Sequence, residues 1–535
     1  TAIYGSRGAN GVIMITTKQG KAGDLQVKYS GQFGVNRVHN RLDLLSAEEY
    51  MAGINALIDA GAGDDTQRVT GIMNGGTNWQ DEVFRSAAYT QNHNLNFSWG
   101  NENTSYMASV NNTSEEGLIK SSEFDRYSMR FNLNHRTEKV HFGINSTMSY
   151  IQDNYVPQGF SVNETSGAVN AARLWDPTLS IRDAEGNYVQ SDFYQIDNPM
   201  AIINGNHIRG NRYRSLGSMF LEYFFTPNFS AKVNVGVDVS NEDKTVYKDR
   251  TTLTGGSLGG VATAFTATKS NYLVEGTLNY KQSLEDHDFN VLLGATTQEY
   301  LTRYSEQQAN NFPTDATNAD NFGLADRSTL VVESSKFNNQ LISFLGRVNY
   351  KFMDKYLLTA SYRADGSSRF GDGNRFGFFP SASVGWLIDE EPFMDDGIFN
   401  ILKLRASWGQ TGNQEIGNYL ALSTYNTGDS YVLDDQFITV LNPSRIANKD
   451  LKWETTAQTD IGVDPEGEVD RCGALGQLVQ VALGGEDEDL VLVERRHRHL
   501  GRADEAEVVP LVAPISLIFP TREVPGPHHR LGAHE

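Results

Sequence analysis

The sequence contains a single cysteine, Cys472, so it can form neither an internal disulfide nor a metal site of paired cysteines. No run of about 18 apolar residues occurs, which excludes a transmembrane helix. Lys and Arg number 45 against 66 Asp and Glu, and the net charge of −21 argues against nucleic acid as the main partner, since a phosphate backbone requires a clustered basic surface. A transmembrane β-barrel is still compatible with these deficits, because its strands need only about 9 to 11 residues each.

Glycine is abundant from the first residues onward. The opening stretch TAIYGSRGANGVIMITTKQG (1–20) places Gly5, Gly8 and Gly11 three residues apart. A dinucleotide-binding loop requires GxGxxG between a strand and a helix, whereas here β-branched residues follow. We interpret these glycines as turn positions and predict a strand over 12–17. The sequence also lacks an HExxH metal motif and a GxxxxGK(S/T) phosphate loop, so it predicts no enzyme, metal site or cofactor.

Apolar and polar residues alternate strictly along many segments. Over 229–239 every odd position is Phe, Ala or Val, and every even position is Ser, Lys, Asn, Gly or Asp. The segment 126–134 repeats the pattern. Such alternation predicts β-strands with one apolar face. About thirteen strands are predicted before residue 465 by this criterion, including 142–150, 272–280, 289–295, 342–352, 356–362, 382–388 and 402–408.

The connections between these predicted strands differ in length. Short turns at 136–139, 226–228 and 353–355 alternate with long polar segments at 151–212, 241–270 and 301–339. Short turns on one side and long loops on the other are the layout of an outer-membrane barrel. A soluble β-sandwich also has strands with one polar face, and it stays open as an alternative. The short turns are flanked by aromatic residues that suit an interfacial girdle, namely Phe224, Phe225, Phe229, Phe352 and Tyr356.

A barrel reading assigns each set of alternating residues to one environment. The apolar set faces lipid, where a charge would cost about 2 to 4 kcal/mol near the middle of the membrane. The polar set faces a hydrated lumen and includes Arg130, Lys232, Asp238 and Glu275. One helix interrupts the pattern: Ser46 and Glu49 have capping-box spacing, and the helix is predicted to end at Gly61, within the first loop.

Four stretches in order along the chain carry a family resemblance. They are AIYGSRGANGVIMITTK near the start, GRVNYKFMDKYLLTASYRADGSSRFGDGNRFGFFPSASVGW (346–386), LKLRASWGQTGNQEIGNY (402–419) and NKDLKWETTAQTDIGVD (448–464). Together they resemble the SusC/RagA family of TonB-dependent outer-membrane transporters, and the first resembles the end of that family's plug domain.

The resemblance implies an all-β fold, a transmembrane antiparallel β-barrel of about 22 strands with a plugged lumen, of which about thirteen strands are present here. It implies a bacterial outer-membrane location and import of a nutrient, an oligosaccharide or a peptide, without covalent chemistry. The implied partners are a SusD-like surface lipoprotein, TonB and outer-membrane lipid. Two alternatives stay open: a siderophore or cobalamin TonB-dependent receptor, and a secreted β-sandwich protein that binds or cleaves glycans.

We expect three regions: the end of a plug at 1–22, a partial barrel with long extracellular loops at 23–464, and an anomalous tail at 465–535. The tail contains no Tyr, Asn, Lys or Trp, yet it holds six of the 14 Pro and five of the 11 His. We hypothesise that it is a frameshifted or chimaeric translation and disordered. By the resemblance, a signal peptide, a TonB box and most of the plug are expected upstream of Thr1.

The candidate site residues fall into two groups. The plug signature, expected to be structural, consists of Tyr4, Gly5, Arg7, Gly8, Asn10 and Gly11. Loop aromatics could stack on a substrate, with loop packing as the alternative for each, and these are Trp175, Tyr188, Tyr194 and Tyr431. The stretch DGSSRFGDGN (365–374) lacks the bidentate Glu of a calcium loop, so it is predicted to be a tight extracellular hairpin.

Overall fold

The computed structural model describes residues 6, 20, 23–157, 167–191, 196–394, 399–467, 477–484 and 491–496. The strands are β1 (Gly23–Asn36), β2 (Ala88–Gly100), β3 (Thr104–Glu116), β4 (Glu123–Arg136), β5 (Val140–Tyr155), β6 (Asn206–Thr226), β7 (Phe229–Lys248), β8 (Val261–Leu284), β9 (His287–Asn310), β10 (Val331–Phe352), β11 (Tyr356–Ser367), β12 (Phe376–Leu387), β13 (Phe399–Asn413), β14 (Thr424–Leu433), β15 (Gln436–Arg445), β16 (Glu454–Gly467), β17 (Gln477–Gly484) and β18 (Val491–Arg496). The α-helices are α1 (Ala47–Asp59), α2 (Trp79–Val83), α3 (Ala168–Leu174), α4 (Pro199–Gly205) and α5 (Leu253–Leu258). Short 3₁₀ turns lie at Asp65–Gln67, Met73–Gly75, Asn318–Asp320, Phe322–Leu324, Arg327–Thr329 and Pro392–Met394.

Within the described residues, sixteen strands form one antiparallel sheet in chain order, from β1 to β13 and then from β16 to β18. The remaining two, β14 and β15, pair only with each other. A β-sandwich would divide its strands between two packed sheets, so the sandwich alternative is wrong and the predicted all-β barrel wall is confirmed. β1 and β18 are the edge strands of the described sheet, so this wall is open.

The region predicted as a tail also contributes to the described sheet. β16 continues to Gly467, and β17 pairs with it through residues such as Val481, opposite Ile461. β18 then pairs with β17. The rest of 465–535 lies outside the described residues, and the foreign origin of the tail stays a prediction.

Strand pairing assigns the alternating residues to two faces of the sheet. Val233 on β7 lies opposite Leu221 on β6, and both side chains are about half exposed, at 50% and 55%. The neighbouring pair, Lys232 and Glu222, points to the other side. We call the first the outer face and the second the inner face. The residues predicted to face the lumen share the inner face, namely Arg130, Lys232, Asp238 and Glu275.

The connections have the predicted asymmetry, but the long ones are shorter than predicted. Strands β6 to β10 run for 20 to 24 residues, so the segments expected over 151–212, 241–270 and 301–339 shrink to 156–205, 249–260 and 311–330. The apolar alternation marks only the part of a strand that faces lipid, about 9 to 11 residues. Beyond it the strict apolar alternation ends, and the strands continue because their backbone groups still pair with neighbours.

Aromatic rings gather at the short-turn edge of the sheet, as the girdle prediction expects. Phe225 stacks on Phe229 across one turn at 5.2 Å, and Phe352 stacks on Tyr356 across another at 6.2 Å. Glu391 accepts hydrogen bonds from Tyr356 Oη at 2.7 Å and from Trp386 Nε1 at 3.0 Å. Rings with a polar tip suit the headgroup level of a membrane.

The long connections pack on one another beyond the opposite edge. Trp79 on α2 and Trp175 after α3 meet edge to face at 6.2 Å, in a buried cluster that also includes Ile202 of α4. The predicted capping box is confirmed: Ser46 Oγ accepts from the Glu49 N–H, and Glu49 Oε2 accepts from the Ser46 N–H at 2.9 Å. Among the described residues, none of the helices has the length and apolar character needed to cross a membrane.

Candidate functional site

A buried ion pair lies on the inner face of β10 and β11. Arg363 Nε donates to Asp365 Oδ1 at 2.6 Å, and Arg363 Nη2 donates to Ser343 Oγ at 3.0 Å. The Asp365 side chain is fully buried and that of Arg363 is 13% exposed. The backbone N–H of Ser6 donates to the second carboxylate oxygen, Oδ2, at 3.0 Å. Because a buried carboxylate needs a counter-charge and hydrogen-bond donors, this arrangement holds Ser6 against the inner wall.

Gly20 contacts the sheet at a second, separate place. A Cβ atom at this position would lie 2.5 Å from the carbonyl oxygen of Tyr106 on β3, so only glycine permits this approach. Ser6 and Gly20 thus touch β11 and β3, which lie eight strands apart in the sheet order. The six residues of the predicted plug signature lie outside the described residues, and their role stays a prediction.

A polar cavity of about 460 Å³ lies against β10 to β13 and β16, closer to the short turns. Arg405 Nε pairs with Asp464 Oδ2 at 3.0 Å, and Gln458 Nε2 donates to Asp460 Oδ1 at 3.1 Å. Arg347 also lines it. The rest of the lining is rich in hydroxyl groups, including Thr359, Ser361, Ser381, Ser383, Ser407 and Thr411. Such a wall offers hydrogen bonds to hydroxyl, amide or carboxylate groups of a polar solute.

The predicted loop aromatics differ in accessibility. Trp175 is only 3% exposed because it packs on Trp79; it borders a cavity of about 570 Å³ between 42–50, 75–80 and 172–177. Loop packing, the alternative left open by the sequence, describes Trp175 in this conformation.

The side chains of Tyr188 and Tyr431 are more exposed to solvent than that of Trp175. The Arg182 guanidinium lies 3.9 Å from the centroid of the Tyr188 ring, and Asn204 Nδ2 donates to its hydroxyl at 2.9 Å. Tyr431, on β14, is 49% exposed. Tyr194 lies outside the described residues. Among the described residues, the structure does not bring Trp175, Tyr188 and Tyr431 into one site.

The hairpin of β14 and β15 exposes apolar residues on both faces. Phe437 is 82% exposed, Leu441 67% and Val432 58%, and Tyr431 lies on the opposite face. An isolated two-stranded hairpin is marginally stable in water, and exposed apolar clusters mark interaction surfaces. This hairpin therefore has the properties of a contact surface for another protein.

Two features were missed or assigned differently at the level of sequence. The predicted hairpin at 365–374 is confirmed as the connection between β11 and β12, but Asp365 belongs to β11 and faces inward. The inner-face aromatics Phe265, Tyr304 and Phe337 were missed, because all three fell in segments assigned to loops, 241–270 and 301–339. Continuing the period-two register from the apolar part of each strand would have placed them.

Residues 255–259 have the G-x-S-x-G spacing of a serine-hydrolase nucleophile elbow. That motif requires a serine on a sharp turn between a strand and a helix. Ser257 instead lies within α5, and its hydroxyl donates to the Thr254 carbonyl at 3.0 Å. The hydroxyl group of Ser257 therefore takes part in the local hydrogen bonding of α5.

A sequentially paired antiparallel wall with an apolar outer face, a polar inner face and Ser6 bound to that inner face defines an outer-membrane β-barrel of the receptor or transporter class. Comparison with known proteins identifies the family. The family profile described as TonB dependent receptor-like, beta-barrel matches residues 183–476. The chain belongs to this family and is an outer-membrane protein, and its SusC/RagA resemblance is confirmed. This family consists of receptors and transporters and is not an enzyme family.

Individual relatives agree. The TonB-dependent receptor P3 of Formosa agariphila is 31% identical over 473 residues, covering 87% of this chain and 46% of the relative. The TonB-dependent receptor SusC of Bacteroides thetaiotaomicron is 31% identical over 501 residues, covering 87% and 47%. The chain thus spans about half the length of these relatives. The solved RagAB peptide transporter shares the fold, with a TM-score of 0.74 at 23% identity, over 90% of this chain and 56% of that one.

Proposed function

We propose that the chain forms part of the barrel of a TonB-dependent importer that carries an oligosaccharide or a peptide across the outer membrane. The hydrogen bond from Ser6 to the buried Asp365 carboxylate carries this proposal, because it ties Ser6 to the inner wall, where a plug would block the lumen. Residues 1–22 are accordingly the end of that plug. The name of one relative, the RagAB peptide transporter, supports a peptide as cargo, and the resemblance to the SusC/RagA family supports an oligosaccharide or a peptide.

The proposed partner outside the cell is a SusD-like lipoprotein that covers the long-loop edge. The exposed apolar hairpin of β14 and β15 supports it, since both hairpin faces lack cover within the described chain. TonB would act from the periplasm through a region N-terminal to the plug. Tyr188 and Tyr431 remain proposed ligand contacts at the mouth, as do Tyr194 and Trp175, although Trp175 would first have to be uncovered.

Uptake in the source bacterium tests the importer. Labelled oligosaccharides, peptides and ferric siderophores are offered to cells with and without the gene, and with TonB active or inactivated. We expect uptake of a glycan or peptide that disappears on deleting either gene. Uptake independent of TonB would contradict the proposal, and uptake of a siderophore alone would support the siderophore-receptor alternative.

A second experiment addresses the lipoprotein. Replacing Phe437 and Leu441 by Ser should reduce the lipoprotein recovered with the purified barrel about 5-fold or more, because apolar anchors dominate protein interfaces. Thr439→Ser, a polar change on the same hairpin, is the matched control. Equal recovery with the double variant, at unchanged barrel yield, would contradict a role of the hairpin in this contact.

A further inference from the structure

Three aromatic rings form a row across adjacent strands β8, β9 and β10. The ring centroids of Phe265 and Tyr304 are 6.3 Å apart with planes 28° from parallel, and those of Tyr304 and Phe337 are 5.9 Å apart at 34°. All three side chains are partly exposed. We call these residues the aromatic row. Each ring keeps part of its surface free, so the row offers aromatic surface beside the hydroxyl group of Tyr304.

Strand register places the aromatic row on the inner face. β8 pairs with β7 without a bulge, and Phe265 is ten positions from the inner-face residue Glu275, an even spacing that keeps it on the same face. Tyr304 lies opposite Ala267, two positions from Phe265. Phe337 is six positions from Ser343, which also faces inward. All three rings therefore project toward the lumen.

The position of the row along the barrel relates it to the anchored segment. Phe337 lies on the long-loop side of Ser343, by roughly 20 Å at about 3.3 Å per residue. Ser343 contacts Arg363 at the level where Ser6 meets Asp365. A solute entering from the long-loop edge would therefore meet the aromatic row before it meets the segment that we assign to the plug.

Polar groups border the rings on the same face. Glu306 lies opposite both Phe265 and Glu333 in the register. Like charges directly opposite each other destabilise a sheet, and within the described residues neither carboxylate has an ion-pair partner within 4.0 Å. Gln298 Nε2 donates to Asn271 Oδ1 at 2.7 Å below the row. Two carboxylates without donors beside flat rings are suited to accept hydrogen bonds from sugar hydroxyl groups.

We propose that the aromatic row is a luminal binding site for a neutral glycan, whose pyranose rings pack against Phe265, Tyr304 and Phe337 while hydroxyl groups donate to Glu306 and Glu333. This inference rests on the proposed importer function and specifies its substrate class. The ring spacing is comparable to the length of one pyranose unit, so neighbouring sugars can use neighbouring rings. Lys244 lies opposite Phe265 and Lys269 opposite Thr302 on the same face, so the charges beside the row are of both signs and suit a neutral glycan.

Binding to the purified full-length transporter tests the site. The probes are neutral α- and β-linked glucose hexasaccharides, chitohexaose and a neutral ten-residue peptide, measured by calorimetry. Tyr304→Ala should weaken hexasaccharide binding about 5- to 10-fold, the order expected for one aromatic contact, whereas Tyr304→Phe should bind nearly as well as the wild type. Tyr272→Ala is the matched control, since Tyr272 lies on β8 but on the outer face.

Folding of every variant is checked by heat-modifiable gel mobility, so that loss of binding is not loss of the barrel. Sugar binding that is equal in wild type and Tyr304→Ala would overturn the proposal. The proposal would also be overturned if none of the sugars bound. It would likewise be overturned if only the peptide bound and Tyr304→Ala weakened that binding, because the row would then be a peptide site. TonB-dependent uptake that persists in Tyr304→Ala would contradict the binding site but agree with the importer function. Uptake independent of TonB would contradict the importer function itself.

Discussion

The Asp365 carboxylate divides its two oxygens between different tasks. Oδ1 accepts from Arg363, which belongs to the wall, and Oδ2 accepts from Ser6, which belongs to the proposed plug. One buried residue thus connects wall stability with anchoring of the segment inside. The sequence showed the residue but not this role, because Ser6 donates to it from 359 positions away, and its cross-strand neighbour Ser343, which accepts from Arg363, lies 22 positions away.

Removing the charge at this position separates the two tasks. Asp365→Asn keeps a side-chain acceptor for Ser6 but removes the carboxylate charge that faces Arg363. Removing one partner of a buried ion pair costs about 3 to 5 kcal/mol. We expect a lower folded fraction, measured by heat-modifiable mobility and by denaturant unfolding in detergent. The double change Arg363→Met with Asp365→Leu should recover folding, because apolar replacement of a buried pair is often neutral. An unfolding midpoint unchanged in Asp365→Asn would refute the role of the pair.

The strands differ in how well they can be predicted from the sequence. Strands facing lipid were predictable, since a charge on their outer face is costly and the alternation is therefore strict. The polar continuations of β6 to β10 were not, because neither of their faces meets lipid, and what keeps them as strands is hydrogen bonding to neighbours distant in sequence. The aromatic row lies in those continuations and was missed for the same reason.

Helix α1 was predictable from its cap, and the cap makes a prediction of its own. Ser46→Ala removes the acceptor for the Glu49 N–H and should cost about 1 kcal/mol, so the amide protons of α1 should exchange about 5-fold faster. Ser46→Asp, which retains an acceptor, is the control. Hydrogen exchange read by mass spectrometry measures both, and equal protection in Ser46→Ala would show that tertiary contacts alone hold the helix.

The same cap should be sensitive to acid. The backbone N–H of Ser46 and then its hydroxyl group hold the pKa of the Glu49 carboxyl below its usual value. A lowered pKa means that this stabilisation is present at neutral pH and is lost as the pH falls through that lowered value. We expect α1 to lose protection in acid in the wild type and to change less in Glu49→Gln. Exchange corrected for the intrinsic rate at each pH gives the comparison; identical pH profiles would count against the capping box.

The whole molecule has two unlike edges, and this determines its orientation in the outer membrane. Connections 37–87, 156–205, 249–260 and 311–330 gather at one edge, whereas turns such as 137–139 lie at the other with the aromatic girdle. Long loops belong outside the cell and short turns in the periplasm.

In a Cys472→Ser background, Ser257→Cys should therefore react with a membrane-impermeant maleimide on intact cells. Glu138→Cys should react only after the outer membrane is permeabilised, because its turn faces the periplasm. Both side chains are exposed, so access to the reagent decides the result. Labelling of Glu138→Cys on intact cells, with Ser257→Cys protected, would reverse the orientation and place the aromatic row and the hairpin of β14 and β15 on the periplasmic side, where neither a glycan entering the cell nor a surface lipoprotein could reach them first.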